Sequence, residues 1–137
     1  MAAAFAEISL PWLQPQPLGA PGSQGLGPGL GAAELQAGLE RLVAWEDVRA
    51  VVVFGSRARG DAQADSDLDL AVICAQPQLT PQQKQACYQR FRAALGGLGC
   101  GVDLVVQGQA DAAYLAQSRW HVMGDVAREG KVLYVAG

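Results

Sequence analysis

Residues 51–72 constrain the fold most, because they join two apolar segments through a polar connection that carries regularly spaced acids. Residues 51–54 are β-branched or aromatic, as is typical of a buried strand, and the run stops at Gly55 and Ser56. The second segment begins with Asp67 and Asp69, one residue apart. Strand side chains alternate between faces, so these acids project from one face about 6 to 7 Å apart. Such a pair suits a divalent cation better than a core.

The rest of the chain alternates between helical and strand patterns. Leu35, Leu39 and Leu42 form an apolar stripe at helical spacing, and Thr80 with Gln83 forms a capping box. In chain order we predict a helix over 32–45, strands over 48–54 and 67–74, a helix from 80 to 95, a strand over 101–106, a helix over 110–128 broken near 121–124, and a strand over 131–135. This order predicts an α+β domain with a small mixed β-sheet and helices packed mainly on one face.

Residues 1–31 differ in composition from the rest of the chain. They hold five of the seven prolines, and six glycines fall between Gly19 and Gly31. Such a stretch cannot sustain a helix or a strand ladder. We therefore predict a Pro/Gly-rich, flexible N-terminal extension over 1–31 and one domain over 32–137. The alternative is that its apolar residues, such as Phe5, Ile8 and Trp12, dock on the domain or on a partner.

Charge and cysteine content limit the environment and the partners. The 137-residue chain has a net charge of −3 and no basic stripe, so nucleic acid is not an expected ligand. The three cysteines show no CxxC spacing, which favours reduced thiols that act as small core residues. No basic residue precedes Arg41, and no apolar run approaches the roughly 20 residues that span a bilayer. We expect a soluble cytoplasmic protein without membrane contact.

Three features combine into a candidate site. A glycine followed by a hydroxyl, Gly55 and Ser56, lets the backbone approach a phosphate closely where the first strand ends. Asp67 and Asp69 offer a cation site, and Asp103 on a later strand completes a cluster of three carboxylates if the two strands are neighbours. Mg²⁺ prefers a few carboxylates combined with substrate phosphates, and two such ions can promote an in-line displacement at phosphorus.

Other motifs fit less well. An EF-hand beginning at Asp65 needs glycine and glutamate where the chain has Leu70 and Gln76, and no Walker A sequence follows Gly55. A lone glycine-serine turn is usually an ordinary loop. Arg57 and Arg59 can either contact phosphate or neutralise nearby acids.

The sequence GSRARG at 55–60, followed by SDLDL at 66–70, resembles the GSxARG…SDxDL signature of the minimal nucleotidyltransferases in the polymerase β-like superfamily. Asp103, within Val-Asp-Leu, matches the third acid of that family. The ending REGKVLY at 128–134 is similar to the usual end of its domain. The resemblance covers roughly residues 35–135.

This resemblance implies the nucleotidyltransferase fold and Mg²⁺-dependent transfer of AMP from ATP to an acceptor hydroxyl, with two ions. It assigns nucleotide binding to Gly55, Ser56, Arg57, Arg59 and Ser66. It assigns metal binding and catalysis to Asp67, Asp69 and Asp103, with Asp103 nearer the acceptor.

The resemblance also implies a partner. Minimal nucleotidyltransferases are typically paired with a helical HEPN ribonuclease toxin and act as its antitoxin by AMPylating a tyrosine. We therefore expect a HEPN-type protein as acceptor, in a homo- or hetero-oligomer. Two alternatives stay open: a catalytically silent antitoxin that acts by binding, and nucleotidyl transfer to a small molecule.

Overall fold

A four-stranded mixed sheet flanked by helices forms the framework of the described residues. The computed structural model describes residues 9–20 and 22–137. In chain order these residues form α1 (Ala32–Val43), β1 (Val48–Phe54), α2 (Ser56–Arg59), β2 (Leu68–Cys74), α3 (Pro81–Leu95), β3 (Val102–Gly108), α4 (Gln109–Leu115), α5 (Val122–Glu129) and β4 (Lys131–Val135).

The sheet has the order β3-β2-β1-β4. The valine-rich β1 lies inside it and runs antiparallel to both β2 and β4. The connection through α3 makes β3 parallel to β2, with Asp69 opposite Asp103. Two parallel strands begin at the same edge of a sheet, so the acid-bearing starts of β2 and β3 lie side by side.

Helices cover the two faces unequally. The long helices α1 and α3 bury Leu39 and Phe91 in the larger core, together with one face of the central strands. The shorter α4 and α5 cover the other face, where Met123 and Trp12 are buried. The predicted α+β class and mixed sheet are confirmed. The two longest helices share one face, as expected, and a thinner second layer covers the opposite one.

Local sequence signals explain most helix boundaries. Gln83 N donates to Thr80 Oγ1 over 3.1 Å, and Thr80 N donates to Gln83 Oε1 over 2.8 Å, which completes the predicted capping box of α3. His121 Nδ1 accepts from Met123 N at 3.0 Å, which caps α5 at the predicted break. The four-residue α2 was missed because it is too short for a periodic pattern. Within the described ranges, no helix has the length and apolarity needed to cross a bilayer.

The N-terminal residues that the structure describes, 9–20 and 22–31, pack on the domain. Trp12 is 2% exposed and Leu26 is 4% exposed. Gln16 exchanges two backbone hydrogen bonds with Val135, of 3.0 and 2.8 Å, at the outer edge of β4. This packing differs from the predicted flexible extension, because a few buried apolar anchors hold a segment without regular structure. Phe5 and Ile8 lie outside the described residues.

Candidate active site

The parallel pairing of β2 with β3 gathers the predicted acids at one edge of the sheet. Asp69 and Asp103 are register partners, and partners on parallel strands present their side chains to the same face. Asp67 lies against Gly101, where an added Cβ would be 3.2 Å from Asp67 Cγ. Leu68 N donates to Gly101 O over 2.8 Å and closes this end of the ladder. The strands are therefore neighbours, as a three-carboxylate cluster requires.

The electrostatics of the cluster centre on Asp69. Its carboxyl is half-buried, whereas Asp67 and Asp103 are exposed. Burial raises the pKa of Asp69 to about 6, and the negative charge of Asp103, a hydrogen bond with Asp103 and the charge of Asp67 all act in the same direction. Arg59 opposes the rise. The negative charge of Asp69 is therefore unfavourable in this setting, and a nearby cation would stabilise it.

Gly55 forms the bend beside these acids. Its φ of +73° lies in the region that favours glycine, and an added Cβ would overlap Asp69 Oδ2 and lie 3.2 Å from Asp69 Cγ. The α2 helix starts immediately afterwards, at Ser56. The first N–H groups of a helix have no intrahelical acceptor, so this bend presents backbone donors next to the carboxylates. The predicted neighbourhood of a glycine-serine bend and the acids is present.

Arg57 does not join this group. Its side chain is 1% exposed, and all five guanidinium N–H donors are used. They donate to the carbonyls of Leu26 (2.8 Å), Pro28 (2.9 Å), Ser66 (2.8 and 3.2 Å) and Gln63 (3.5 Å). The turn of α2 points this side chain into the protein, so no donor remains for a phosphate. The structure thus replaces the predicted nucleotide contact of Arg57 with a structural one.

Ser66 and Arg59 occupy intermediate positions. Ser66 Oγ accepts from Gln63 N at 2.8 Å, so its hydroxyl shapes the loop that precedes Asp67. Arg59 is exposed and contacts Asp61 at 3.4 Å and Glu129 at 3.0 Å. Of these two residues, Arg59 places an exposed cation near Asp69, whereas the Ser66 hydroxyl contacts its own loop.

The donor set suits magnesium, although the carboxylates do not enclose it. In residues 9–20 and 22–137, no group of three or more His, Cys, Asp and Glu side chains forms a ready-made metal site. Mg²⁺ typically binds one or two carboxylates and takes its other ligands from water and substrate phosphates. Two exposed carboxylates and one half-buried carboxylate on a shared edge fit that pattern. The residues present therefore fit a Mg²⁺–triphosphate complex.

The carboxylate site lies at the surface, because Asp67 and Asp103 are exposed. A cavity of about 470 Å³ is lined by Val106 and residues of α3 rather than by the aspartates.

Sequence reasoning missed Gly101, whose lack of a side chain makes room for Asp67. The available signal was a glycine directly before the Val-Asp-Leu strand.

The family model described as "Polymerase beta, Nucleotidyltransferase" matches residues 39–136. A search of the curated proteins finds no match.

Solved structures similar to the chain include a toxin-antitoxin complex with AMP-PNP (24% identity, 72% of each chain covered, TM-score 0.47). They also include a tri-AMPylated HEPN toxin from Shewanella oneidensis in complex with an MNT antitoxin (21% identity, 76% of this chain and 71% of that one, TM-score 0.45). A third is a candidate nucleotidyltransferase from Sulfolobus solfataricus (19% identity, 80% of this chain and 93% of that one, TM-score 0.47). The family model spans well over half of the sequence, and the chain therefore belongs to the polymerase beta nucleotidyltransferase family.

Proposed function

We propose that this nucleotidyltransferase transfers AMP from ATP to the hydroxyl of a tyrosine on a partner HEPN protein, in a Mg²⁺-dependent reaction. The observation that carries the proposal is the register of Asp69 with Asp103 beside the Gly55 bend. Like-charged groups held together in this way cost stability unless a cation joins them. A fold that served only as scaffold would not need them.

Asp67, Asp69 and Asp103 would hold the metal, as one ion or two. When bound, Mg²⁺ neutralises negative charge on the triphosphate and on the leaving pyrophosphate. The backbone N–H groups at Gly55 and Ser56 donate to phosphate oxygens, and the absence of a Cβ at residue 55 keeps those oxygens close to Asp69. This part of the proposal combines positioning with charge neutralisation, which supplies most of the catalysis in phosphoryl-type transfers.

The chemical step exchanges one P–O bond for another. The acceptor oxygen forms a bond to the α-phosphorus, the bond from that phosphorus to the bridging oxygen breaks, and pyrophosphate leaves with the electron pair. The hydroxyl proton passes to a carboxylate. Asp103 is the residue for that role, since it is exposed on β3 at the edge of the sheet, where a macromolecular acceptor can approach.

The arginines take different roles in this proposal. Arg59 is exposed beside the acids and is available to phosphate once its contacts with Asp61 and Glu129 exchange. Arg57 and Ser66 act indirectly by holding the loop before Asp67. Of the five predicted nucleotide-binding residues, the proposal keeps three as direct contacts: Gly55, Ser56 and Arg59.

The exposed carboxylates and the net charge of −3 favour a protein acceptor over RNA, because negative charge repels the phosphates of RNA. The HEPN identity rests on the GSRARG…SDLDL motif, which resembles that of the minimal nucleotidyltransferases.

Incubation with α-labelled ATP, Mg²⁺ and the product of the adjacent gene tests the proposal, with Asp69→Asn as the control. We expect label on a partner tyrosine with the wild type and none with Asp69→Asn. A tight complex without label would instead indicate a silent antitoxin. Label on a small molecule but not on the partner would indicate that the protein transfers the nucleotide to a small molecule instead.

A further inference from the structure

We propose that residues 24–31 are a positioning segment for the carboxylate site. This segment, called here the N-terminal brace, lies between the loop that leads into β2 and the loop that leads into β3. It orders the two loops that precede Asp67 and Asp103, at the edge where the pairing of β2 with β3 gathers the acids. Its predicted effect on nucleotide binding rests on the proposed function, whereas its effect on the two loops does not.

The first contact of the brace is with residues 60–66, which precede Asp67. Arg57 ties the two together, because one guanidinium donates to Leu26 O and Pro28 O on the brace and to Ser66 O on the loop. Gly29 packs directly on the loop backbone: an added Cβ would overlap Ala64 O and lie 2.9 Å from Ala64 Cα. The brace therefore sets the position of this loop through backbone contacts.

The second contact is with residues 96–101, which precede Asp103. Gly31 N donates to Leu98 O over 3.2 Å. Gly29 O lies so close to Gly99 that a Cβ added at residue 99 would be 2.9 Å from it. The same glycine of the brace, Gly29, thus contacts both loops.

The brace is also anchored to the larger core, to α1 and to β4. The Leu26 side chain is buried in the larger core. The buried Gln24 donates through Nε2 to Gln36 Oε1 of α1 over 3.2 Å, and Lys131 Nζ of β4 donates to Gln24 O. Because the anchors on α1 and β4 lie outside the two loops, they hold the brace in place independently of these loops.

The glycines of the brace explain why its composition is unusual. Gly25, Gly27 and Gly29 have φ values of +64°, +91° and +84°, a conformation that other residues adopt only with strain. Together with the missing Cβ at residue 29, they let a chain without secondary structure fit between two loops. The glycine-rich composition is thus a packing requirement at the candidate active site.

Gly29→Ala tests the brace, and Gly22→Ala is its matched control. Both glycines have positive φ, +84° and +79°, so both substitutions introduce comparable backbone strain. Of the two, residue 29 faces a close neighbour, whereas no atom of the described residues lies within 4 Å of a Cβ added at residue 22. Gly27→Ala is a milder second variant, since its Cβ would meet the Ala62 Cβ at 3.1 Å.

The first measurement is hydrogen–deuterium exchange of the metal-free full-length protein. We expect Gly29→Ala to speed exchange at least about tenfold in both loops and at the starts of β2 and β3, and Gly22→Ala to leave these rates unchanged. If Gly29→Ala does not fold, Gly27→Ala should show the same pattern at lower amplitude. Faster exchange confined to residues 24–31 would overturn the proposal.

The second measurement is the dissociation constant for Mg²⁺-ATP by calorimetry below the melting temperature. We expect Gly29→Ala to weaken binding about tenfold and Gly22→Ala to bind like the wild type, even where both melt at lower temperature. Equal affinity of Gly29→Ala and wild type would overturn the positioning role. A wild type that does not bind would refute the proposed function, and the exchange rates would still decide whether the brace holds the loops.

Discussion

The two ends of β2 handle acidic side chains in opposite ways. At its start, Asp69 faces Asp103 and Asp67, so like charges are held together. Near its end, Asp47 meets Arg90, with Arg90 Nη2 2.7 Å from Asp47 Oδ2. One end gathers more negative charge than the nearby Arg59 offsets, and the other pairs its acid with a guanidinium. Under the proposed function, the first arrangement serves a ligand and the second serves the fold.

The Asp47–Arg90 pair also contacts an aromatic ring and a buried thiol. The Arg90 guanidinium lies 4.5 Å from the centroid of the Trp45 ring and donates to Cys87 Sγ over 3.3 Å. Burial, followed by the proximity of Cys87 and Asp47, raises the pKa of the Cys74 thiol to about 12, so this thiol stays neutral. The thiols of Cys74 and Cys87 are free and buried, as expected for small core residues. This end has the features of a structural cluster.

The largest expected effect is the loss of activity in Asp69→Asn. Removal of a central ligand should lower the rate of AMP transfer by roughly 10³-fold. The same change should stabilise the metal-free protein, because repulsion of about 3 kcal/mol between carboxylates some 5 Å apart is reduced by solvent screening to about 1 kcal/mol. Transfer assays and thermal melts in EDTA measure the two effects. If Asp69→Asn were less stable than the wild type and fully active, the start of β2 would serve stability rather than catalysis.

Arg90→Met should show the opposite combination at the other end of β2. It leaves Asp47 without its partner, and Asp47 Oδ1 already has no hydrogen-bond partner among the described residues. For a pair that is only partly buried we expect a loss of about 1 to 3 kcal/mol in the free energy of unfolding. Urea unfolding gives this value, and AMP transfer measured well below the melting temperature should match the wild type. Lost transfer by a folded Arg90→Met would contradict the assignment of this end to stability.

The pH dependence of stability separates the two ends further. The folded-state pKa of Asp69, about 6, lies above its ordinary value of 3.8. The folded protein therefore binds more protons than the unfolded chain between about pH 4 and pH 6, and this contribution to stability falls as pH rises through that window. We expect the difference in melting temperature, wild type minus Asp69→Asn, to decrease from pH 4 to pH 6.5 in EDTA. If this difference did not change with pH, the pKa of Asp69 would not be raised in the folded protein.

The smallest effect is expected for Arg128→Met, which serves as the reference for Arg90→Met. Arg128 contacts Asp125 one turn away on α5, and both side chains are about half exposed. Exposed pairs of this kind contribute roughly 0 to 0.5 kcal/mol. Urea unfolding that showed equal losses for Arg128→Met and Arg90→Met would remove the distinction between a surface pair and the Asp47–Arg90 cluster.

The sequence predicted what depends on local pattern. The strands β1 and β4 have the predicted bounds, since their apolar runs end at glycine or charge, and the capping box placed the start of α3. These signals lie within a few residues of the features they predict. The meeting of Asp69 with Asp103 was expected only if their strands were neighbours, a condition that the parallel pairing of β2 with β3 meets.

Other features depend on contacts between distant parts of the chain. Arg57 and Arg59 are two residues apart in one motif, yet one is buried against carbonyls of residues 26 and 28 and the other is exposed. No local pattern distinguishes them, because the distinction comes from a glycine-rich segment some 30 residues earlier. The position of that segment is set by tertiary packing alone.

Titration of the full-length protein with Mn²⁺ and a non-hydrolysable ATP analogue, followed by NMR, is the most direct test of the carboxylate site. Paramagnetic broadening marks the amides nearest the ion. We expect the signals of Gly55, Asp69 and Asp103 to disappear first, and Asp69→Asn to abolish the effect. Broadening that begins elsewhere, or that is the same in Asp69→Asn, would show that these carboxylates do not bind the metal–nucleotide complex.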